Sequence, residues 1–365
     1  MEHKRDGGAR TERLRAAFGE AFVEVPVFEA PISRGENFLL SARREGPLWA
    51  PSSLGDFQTL MAQDVAPANG DGTVIHTDFR DPRNAAEDYV FTDWFNTSWT
   101  WVASASGAML TPGTMLLDDI ARWDVDLKWP DLSAWDFRSR AEDFMKNEYS
   151  PDRVLHYDIG RGCTERLISL VGGYTEGMLA LAMEPDAVRA FLDRYADFVI
   201  GLYDTLRALY PFQMVTYHDD WGTERDTFFS ERMMEDIVFG PTKRIIDHIK
   251  ASGAVFEMHS CGNVTRFMPY MTALGADFLQ LQRRAVDLPA MKAKYGDKVG
   301  FCATIEDFAP GTGVPPDRRR ELVRRTLRLY GEHGGLYALA FSPNPEELTA
   351  LLTDVYELSR EYYGG

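Results

Sequence analysis

Short apolar runs alternate with longer amphipathic segments through the second half of the chain. Six runs have the length and composition of strands: 153–160, 212–220, 254–262, 277–282, 298–304 and 336–342. The segments between them show helical periodicity, most clearly at 185–210, 240–253 and 344–363. The last of these opens with an Asn cap, an early Pro and two Glu. This alternation predicts parallel βαβ units with buried strands.

The first half of the chain is irregular and rich in Trp, Pro and Gly. Two further strand-like runs, at 23–30 and at either 73–78 or 87–93, bring the expected count to eight. We therefore predict an α/β fold, a (β/α)8 TIM barrel with an irregular aromatic-rich N-terminal elaboration. Residues 1–365 are expected to form one domain, with the elaboration and first strands in 1–150 and the regular βα units in 151–365. The alternative is an open doubly wound sheet, but no G-x-G-x-x-G follows a strand to support its nucleotide-binding version.

Composition narrows the choice of partners. The 365 residues carry a formal net charge of −17, and a chain so acidic argues against nucleic acid as a partner. Since no apolar run approaches a membrane span and the N-terminus has no hydrophobic signal region, we expect no membrane association and a cytoplasmic location. The three cysteines are widely spaced and cannot all pair, so free thiols are expected.

Polar residues collect where the predicted strands end. They are His156, Asp158, His218, Asp219, Asp220, His259, Cys261, Gln280, Gln282 and Cys302. In a TIM barrel the chemistry lies at the carboxyl ends of the strands. The sequence therefore predicts a site built from these side chains.

The stretch "FEMHSCGNV" offers a candidate metal site. His259 and Cys261 are two apart, so in an extended chain they point to the same side. Imidazole and thiolate are zinc ligands, and Cys302 at the end of a later strand is the expected third ligand. The alternative is a hydrogen-bonded histidine and a small apolar cysteine in a packed core.

The stretch "YHDDWG" offers candidate catalytic groups, namely His218, Asp219 and Asp220. Each can act as an acid or a base. Adjacent carboxylates point to opposite faces of an extended segment, so we expect only one of the two to face the cavity. The alternative role is turn capping, because Asp before Trp-Gly is common in turns.

Four clustered aromatic residues precede the regular half: Trp94, Phe95, Trp99 and Trp101. They suit either the wall of a flat ligand or the packing of an irregular segment onto the barrel. On the first interpretation we expect substrate contacts from Trp94 and Trp99, together with Tyr217 and Gln280. Cys163 starts a predicted helix without an obvious base partner and is expected to be structural.

The segment 217–282, from "YHDDWG" through "HSCGN" to "GADFLQLQ", resembles the uroporphyrinogen decarboxylase superfamily. A weaker resemblance extends over nearly the whole chain, including 171–195. It implies a (β/α)8 barrel. True decarboxylases of the superfamily have an Arg-rich N-terminal stretch for porphyrinogen carboxylates, which the corresponding residues 25–46 lack.

The other branch implied by the resemblance is that of cobalamin-dependent methyltransferases, which hold zinc with an H-x-C pair and a late cysteine. His259 and Cys261 match the pair, whereas the late segment 334–348 has no cysteine. Either Cys302 replaces it, or an oxygen ligand such as Asp220 or Glu257 completes the site, or zinc is absent.

The resemblance therefore implies transfer of a methyl group from a small donor, such as an aromatic methyl ether, to the cobalt of a corrinoid-binding protein. The expected cofactors are zinc and a cobalamin carried by that partner. The alternatives are a uroporphyrinogen-type decarboxylase, transfer from methylcorrinoid to a thiol, and a barrel that binds a tetrapyrrole without catalysis.

Overall fold

The computed structural model describes residues 10–15, 22–65, 87–105 and 107–364. In these ranges the strands are Arg10–Arg15 (β1), Phe22–Val27 (β2), Phe57–Leu60 (β3), Tyr89–Thr92 (β4), Ser98–Val102 (β5), Gly107–Leu110 (β6), Val154–Ile159 (β7), Met214–His218 (β8), Val255–Ser260 (β9), Phe278–Leu281 (β10), Gly300–Thr304 (β11) and Leu336–Leu339 (β12). The α-helices are Arg34–Arg43 (α1), Ala62–Val65 (α2), Trp123–Asp126 (α3), Phe137–Asn147 (α4), Cys163–Val171 (α5), Tyr174–Met183 (α6), Pro185–Arg207 (α7), Glu231–Met233 (α8), Phe239–Ala251 (α9), Met268–Leu274 (α10), Leu288–Tyr295 (α11), Pro316–Tyr330 (α12) and Pro345–Tyr363 (α13).

Seven strands form one curled parallel sheet in the order β3-β7-β8-β9-β10-β11-β12. The two edges of this sheet meet through residues 51–53, which lead towards β3. There Ser53 donates its N–H to Ala338 of β12 at 2.9 Å, and Ala338 donates to Pro51 at 2.7 Å. The sheet is therefore closed into a barrel-like ring with helices outside it, and the predicted α/β barrel class is confirmed.

The first strands differ from the prediction. The six runs of the second half all contain strands of the sheet, but the run at 23–30 pairs with β1 in a separate antiparallel hairpin. The run at 87–93 forms β4, in an antiparallel sheet with β5 and β6. The alternative run at 73–78 lies outside the described residues. The first strand of the barrel is β3, whose four residues are too few to show a clear alternation.

The predicted helices are present, and their ends follow from local chemistry. Pro185 opens α7, where its missing N–H costs nothing. Asn344 caps α13 as expected, because its side chain accepts from the N–H groups of Glu346 and Glu347. In the described part of the chain, no helix combines the length and the apolar character needed to cross a bilayer.

Inward-facing residues fill the barrel in layers, because alternate residues of a strand point to the same face. Phe38 of α1 closes the amino-terminal end with an apolar floor, whose other members are Phe57, Val154, Met214, Val255 and Phe278, and Cys302 and Tyr337 pack above them. Two residues further along five of these strands lies a polar layer: Thr59, His156, Thr216, Glu257 and Gln280. The next inward positions, nearer the carboxyl ends, carry the groups described below.

Candidate metal centre at the carboxyl end of the barrel

Three potential metal ligands meet above the polar layer. His259 lies near the end of β9, Cys261 follows that strand, and Asp220 follows β8. One ligand atom from each lies within 4.8 Å of the other two. The His259 Nε2 atom is 3.4 Å from Cys261 Sγ and 3.6 Å from Asp220 Oδ1. We call Asp220, His259 and Cys261 the metal-site group.

Two glycines allow the loops after β8 and β9 to approach closely enough to form this group. Gly262 has a φ of 82°, and a Cβ atom built on it would lie 2.0 Å from the carbonyl oxygen of Gly222. Beside this contact, the N–H of Cys261 donates to Asp220 Oδ1 at 2.6 Å. The backbone of one loop therefore holds the carboxylate supplied by the other.

Gln280 determines which nitrogen of His259 faces the group. The Nδ1 atom of His259 lies 2.6 Å from Gln280 Oε1. Since an amide oxygen only accepts, Nδ1 carries the hydrogen and Nε2 keeps its lone pair towards Cys261 and Asp220. A hydrogen bond of this kind commonly orients a metal-binding histidine.

The donor set fits a divalent cation such as zinc. Imidazole nitrogen, thiolate sulfur and carboxylate oxygen are its usual ligands, and three protein ligands leave a fourth position open. Burial and the nearby Asp220 carboxylate raise the pKa of the Cys261 thiol to about 12, so these groups repel when ionised. Burial and the charge of Asp220 also raise the pKa of Glu165 well above its usual value. The Oε2 atom of Glu165 is buried and has no hydrogen-bond partner among the described residues. A cation would offset this concentration of acidic groups.

A second histidine lies against the metal-site group. The ring centroids of His218 and His259 are 4.3 Å apart, and His218 Nε2 is 3.0 Å from Asp158 Oδ1. Burial alone would lower the pKa of His218, but the Asp158 carboxylate outweighs it and raises the pKa to about 9. Burial, followed by the charge of His218, lowers the pKa of His259 to about 4. The pair therefore consists of a charged imidazolium and a neutral ligand.

Asp219 and Tyr217 point away from this site, although both were predicted to take part in it. Asp219 is buried and accepts from the N–H groups of Thr164 and Glu165 at 3.1 and 3.0 Å, at the start of α5. The hydroxyl of Tyr217 accepts from the N–H of Cys163 at 2.7 Å, in the core outside β8. Of the two adjacent carboxylates, Asp220 is thus the one that faces the cavity, as the alternation of an extended segment requires.

Cys302, the predicted third ligand, is not brought to the metal-site group. It is buried at the level of the polar layer, beside Gln280, with its sulfur 3.6 Å from Gln280 Nε2. Asp220, the oxygen ligand considered as an alternative, takes the third position. Glu257, the other oxygen ligand considered, lies in the polar layer below.

The aromatic residues mainly pack the N-terminal elaboration onto the barrel. Trp94 stacks on Trp135 with centroids 5.4 Å apart and lines a narrow cleft between β7 and α7. Trp99 is buried and donates to Asp93 at 3.0 Å, while the guanidinium of Arg161 lies 3.9 Å above its ring. These contacts follow the packing interpretation, and substrate contacts by the two rings stay a prediction.

Sequence reasoning missed three residues close to the site. Thr216 and Tyr337 occupy inward positions of β8 and β12, so strand alternation could have found them once the register was known. Glu165 lies in the first turn of α5 and carries no pattern that separates it from a surface carboxylate.

Comparisons with known proteins agree with this architecture. The uroporphyrinogen decarboxylase (URO-D) family model matches residues 167–335. A methyltransferase from Methanosarcina mazei is similar in structure, with a TM-score of 0.56 and 13% identity over 92% of this chain and 100% of that one. An intracellular xylanase from Thermoanaerobacterium saccharolyticum aligns less well, with a TM-score of 0.34 and 10% identity over 58% of this chain and 72% of that one. No curated protein matches the chain.

The family match runs from within α5 to the residue before β12, and therefore includes every member of the metal-site group. The methyltransferase likeness, at its low identity, extends the common fold over almost the whole chain. This region thus matches the uroporphyrinogen decarboxylase family, in agreement with the resemblance of segment 217–282, which lies within it.

Proposed function

We propose that this protein is a methyltransferase that moves a methyl group from a small methylated donor, such as an aromatic methyl ether, to the cobalt of a separate corrinoid-binding protein. The observation that carries the proposal is the convergence of Asp220, His259 and Cys261 at the carboxyl end of the barrel. The acid–base group His218 lies beside this group, and the side chains of Asp220 and His259 are partly exposed, which supports access by a donor and an acceptor.

The residues of the site have separate roles in this reaction. His259, Cys261 and Asp220 would hold a zinc ion, which when bound supplies Lewis-acid polarisation of the donor's oxygen. Gln280 holds Nδ1 of His259, so that Nε2 would be available to such an ion. With its Nε2 held by Asp158, His218 would donate a proton from Nδ1 to the leaving oxygen.

The composition of the donor set supports the direction of transfer. The resemblance associates activation of a thiol acceptor with a second cysteine ligand late in the chain, and here Asp220 occupies the third position. A carboxylate in place of a thiolate leaves more positive charge on the ion, which favours polarising an ether oxygen.

The arginines of the chain weigh against the decarboxylase alternative, which needs several of them around a carboxylate-rich substrate. Arg283 pairs with Glu306 and Asp307 at 2.8 and 2.7 Å. Arg161 lies over the ring of Trp99. Arg225 and Arg284 are exposed.

Methyl transfer to a reduced corrinoid protein, measured across methoxyarenes, methylamines and methanol, tests the proposal. We expect activity with at least one donor and about one zinc per chain. His259→Ala and Cys261→Ala should lose both, whereas Cys163→Ala, which removes a buried thiol from the outer side of β8, should keep both.

Failure with every donor, in the presence of bound zinc, would overturn the proposed direction of transfer. A fully active, metal-free protein would overturn the metal site. Turnover of uroporphyrinogen would replace the proposal by the decarboxylase alternative.

A further inference from the structure

The polar layer beneath the metal-site group is one connected network of hydrogen bonds. Its five members are joined by Tyr337 of β12, so that the network links side chains from six strands of the barrel, namely Thr59, His156, Thr216, Glu257, Gln280 and Tyr337. Glu257 lies at its centre and is fully buried. A buried network of this size either satisfies all its members or destabilises the fold, so the direction of each bond matters.

Glu257 is the acceptor in each of its hydrogen bonds with neighbouring side chains. Tyr337 donates to Oε2 at 2.5 Å, and Thr216 donates to Oε1 at 2.9 Å. Because the hydroxyl of Thr216 is used in this way, it accepts from His156 Nε2 at 2.7 Å. Both oxygens of Glu257 accept hydrogen bonds in this arrangement, so its carboxyl group imposes a single direction on its neighbours.

Gln280 transmits this direction to the metal-site group. Its Nε2 lies 3.4 Å from Glu257 Oε1 and 3.4 Å from the hydroxyl of Tyr337. Its Oε1 is then directed at His259 Nδ1, at 2.6 Å. If the amide were reversed, its oxygen would face the Glu257 carboxylate, and its NH₂ group would face the N–H of His259. Both contacts would be repulsive.

We propose that Glu257 is a positioning residue, which holds the amide of Gln280 in one orientation and so selects Nε2 of His259 as the metal ligand. The inference rests on the proposed metal-dependent function, but the tautomer of His259 is a property of the protein alone. Glu257 and His259 are separated by one residue on β9 and both point inwards. The acceptor oxygens of one layer therefore set the ligand atom of the next.

The first test measures the tautomer of His259 in the metal-free protein. Long-range ¹H–¹⁵N NMR of histidine-labelled protein distinguishes the two tautomers, and the His259 signals are assigned by their loss in His259→Ala. We expect Nδ1–H in the wild type and a shift to Nε2–H in Glu257→Gln, because the amide of Gln280 can then turn over. Glu257→Leu provides a second variant, which removes both acceptor oxygens and so frees the amide of Gln280 from its contact with the carboxyl group.

The matched control is Glu306→Gln. Glu306 is also buried and also accepts from a tyrosine hydroxyl, that of Tyr330 at 2.7 Å, but it lies after β11. This variant should leave the His259 tautomer unchanged. A wild-type His259 with Nε2–H, or a tautomer that stays the same in both folded Glu257 variants, would overturn the inference.

The second test measures zinc affinity by competition with a chelator. Loss of a group that orients a metal ligand typically costs about 10- to 100-fold in affinity, and we expect a loss of this size in Glu257→Gln. The double variant Glu257→Gln/Gln280→Glu returns an acceptor to His259 Nδ1 and should recover most of the loss. A merely structural role predicts lower thermal stability with unchanged zinc affinity and no recovery, and that result would overturn the inference.

The proposed methyltransferase function and the positioning role of Glu257 can be contradicted by different results. A wild type that binds zinc but transfers no methyl group would contradict the proposed function and leave the positioning role in place. A wild type with the expected tautomer and no zinc would contradict the metal site alone.

Discussion

Asp219 and Asp220 are chemically identical neighbours with different surroundings. Asp219 is buried and accepts bonds from Thr164 and Glu165 at the first turn of α5. Asp220 is partly buried and turned into the barrel, where it meets Cys261 and His259. One carboxylate stabilises a helix terminus, and the other belongs to the candidate site.

Asp219→Ala should therefore mainly affect the stability of the fold, and Asp220→Ala should mainly affect the affinity for zinc. We expect Asp219→Ala to lower the free energy of unfolding by about 1 to 2 kcal/mol, because it leaves the N–H groups of the α5 terminus unpaired, and to keep zinc binding. Asp220→Ala should lose most of its zinc affinity with a smaller change in stability of the metal-free protein. Denaturant unfolding and chelator competition measure the two quantities.

The two variants control for each other, since each removes a single carboxylate and the two positions are adjacent in the chain. Loss of zinc in Asp219→Ala with retention in Asp220→Ala would show that the two roles have been exchanged. Equal effects of both variants on zinc would mean that the loop moves as a unit.

The sequence was sufficient to predict that His259, Cys261 and His218 lie close together, because each follows or ends a neighbouring strand of the barrel. It was not sufficient to choose between Cys302 and Asp220 as the third ligand. That choice depends on the contact between Gly222 and Gly262, which brings two loops together. A contact between loops from different strands leaves no periodic pattern in the chain.

At the scale of elements, a buried ion pair attaches the antiparallel sheet of β4, β5 and β6 to the barrel. Arg166 of α5 donates to Asp93 at 2.6 Å, and both side chains are 2% exposed. Asp93 lies in the turn after β4, where it also accepts from Thr97 and Trp99. One carboxylate therefore holds both the turn and its attachment to α5.

Asp93→Asn should destabilise the protein by about 3 to 5 kcal/mol, because it leaves the charge of Arg166 buried without a partner. The exposed pair of Arg122 and Asp126 provides a control, and Asp126→Asn should change little. Both are measured as the midpoint of denaturant unfolding. Similar small effects of the two variants would contradict the importance of the buried pair.

The same pair predicts a dependence on pH. Burial favours the neutral acid, but Arg166 outweighs it and holds the pKa of the Asp93 carboxyl below its ordinary value of about 3.9. A lowered pKa in the folded state stabilises the protein above that ordinary value, and the contribution is lost as the pH falls through the folded pKa. The difference in unfolding free energy between wild type and Asp93→Asn should therefore be constant near neutrality and shrink below about pH 4.

Elements with a repeated pattern were predictable, and those formed by pairing with distant residues were not. The helix α13 has a cap, an early proline and a regular apolar face in its own sequence. The strand β3 has only "FQTL", and it joins the barrel because Phe57 pairs with Val154 nearly a hundred residues later. The run at 23–30 has strand composition as well, but composition does not specify which sheet a strand enters.

At the scale of the whole molecule, binding of an ion to the metal-site group should stabilise the folded chain. A ligand that binds only the folded state at about 100 times its dissociation constant contributes about 2.7 kcal/mol. For a cooperative unfolding unit of 365 residues, this corresponds to a rise of about 3 °C in Tm. Differential scanning calorimetry with and without zinc measures the shift.

His259→Ala provides the control for this shift, since it removes one ligand from the centre of the group. Its Tm should not respond to zinc at the same concentration. An equal rise in wild type and variant would assign the stabilisation to other sites on this acidic chain.

The hydrogen bond from the Cys261 N–H to Asp220 has a consequence for metal selectivity. Hydrogen bonds within the protein already hold the ligand atoms in place, so the fold does not depend on an ion. A zinc finger, in contrast, is unfolded without its metal. Chelation should leave the fold intact, and re-loading should be possible with several divalent ions. At a mixed N, O and S site, affinity follows the general order in which copper(II) exceeds zinc. If the metal-site group binds an ion as proposed, the ion found in the purified protein should therefore reflect the metal supply of the medium in which it was made.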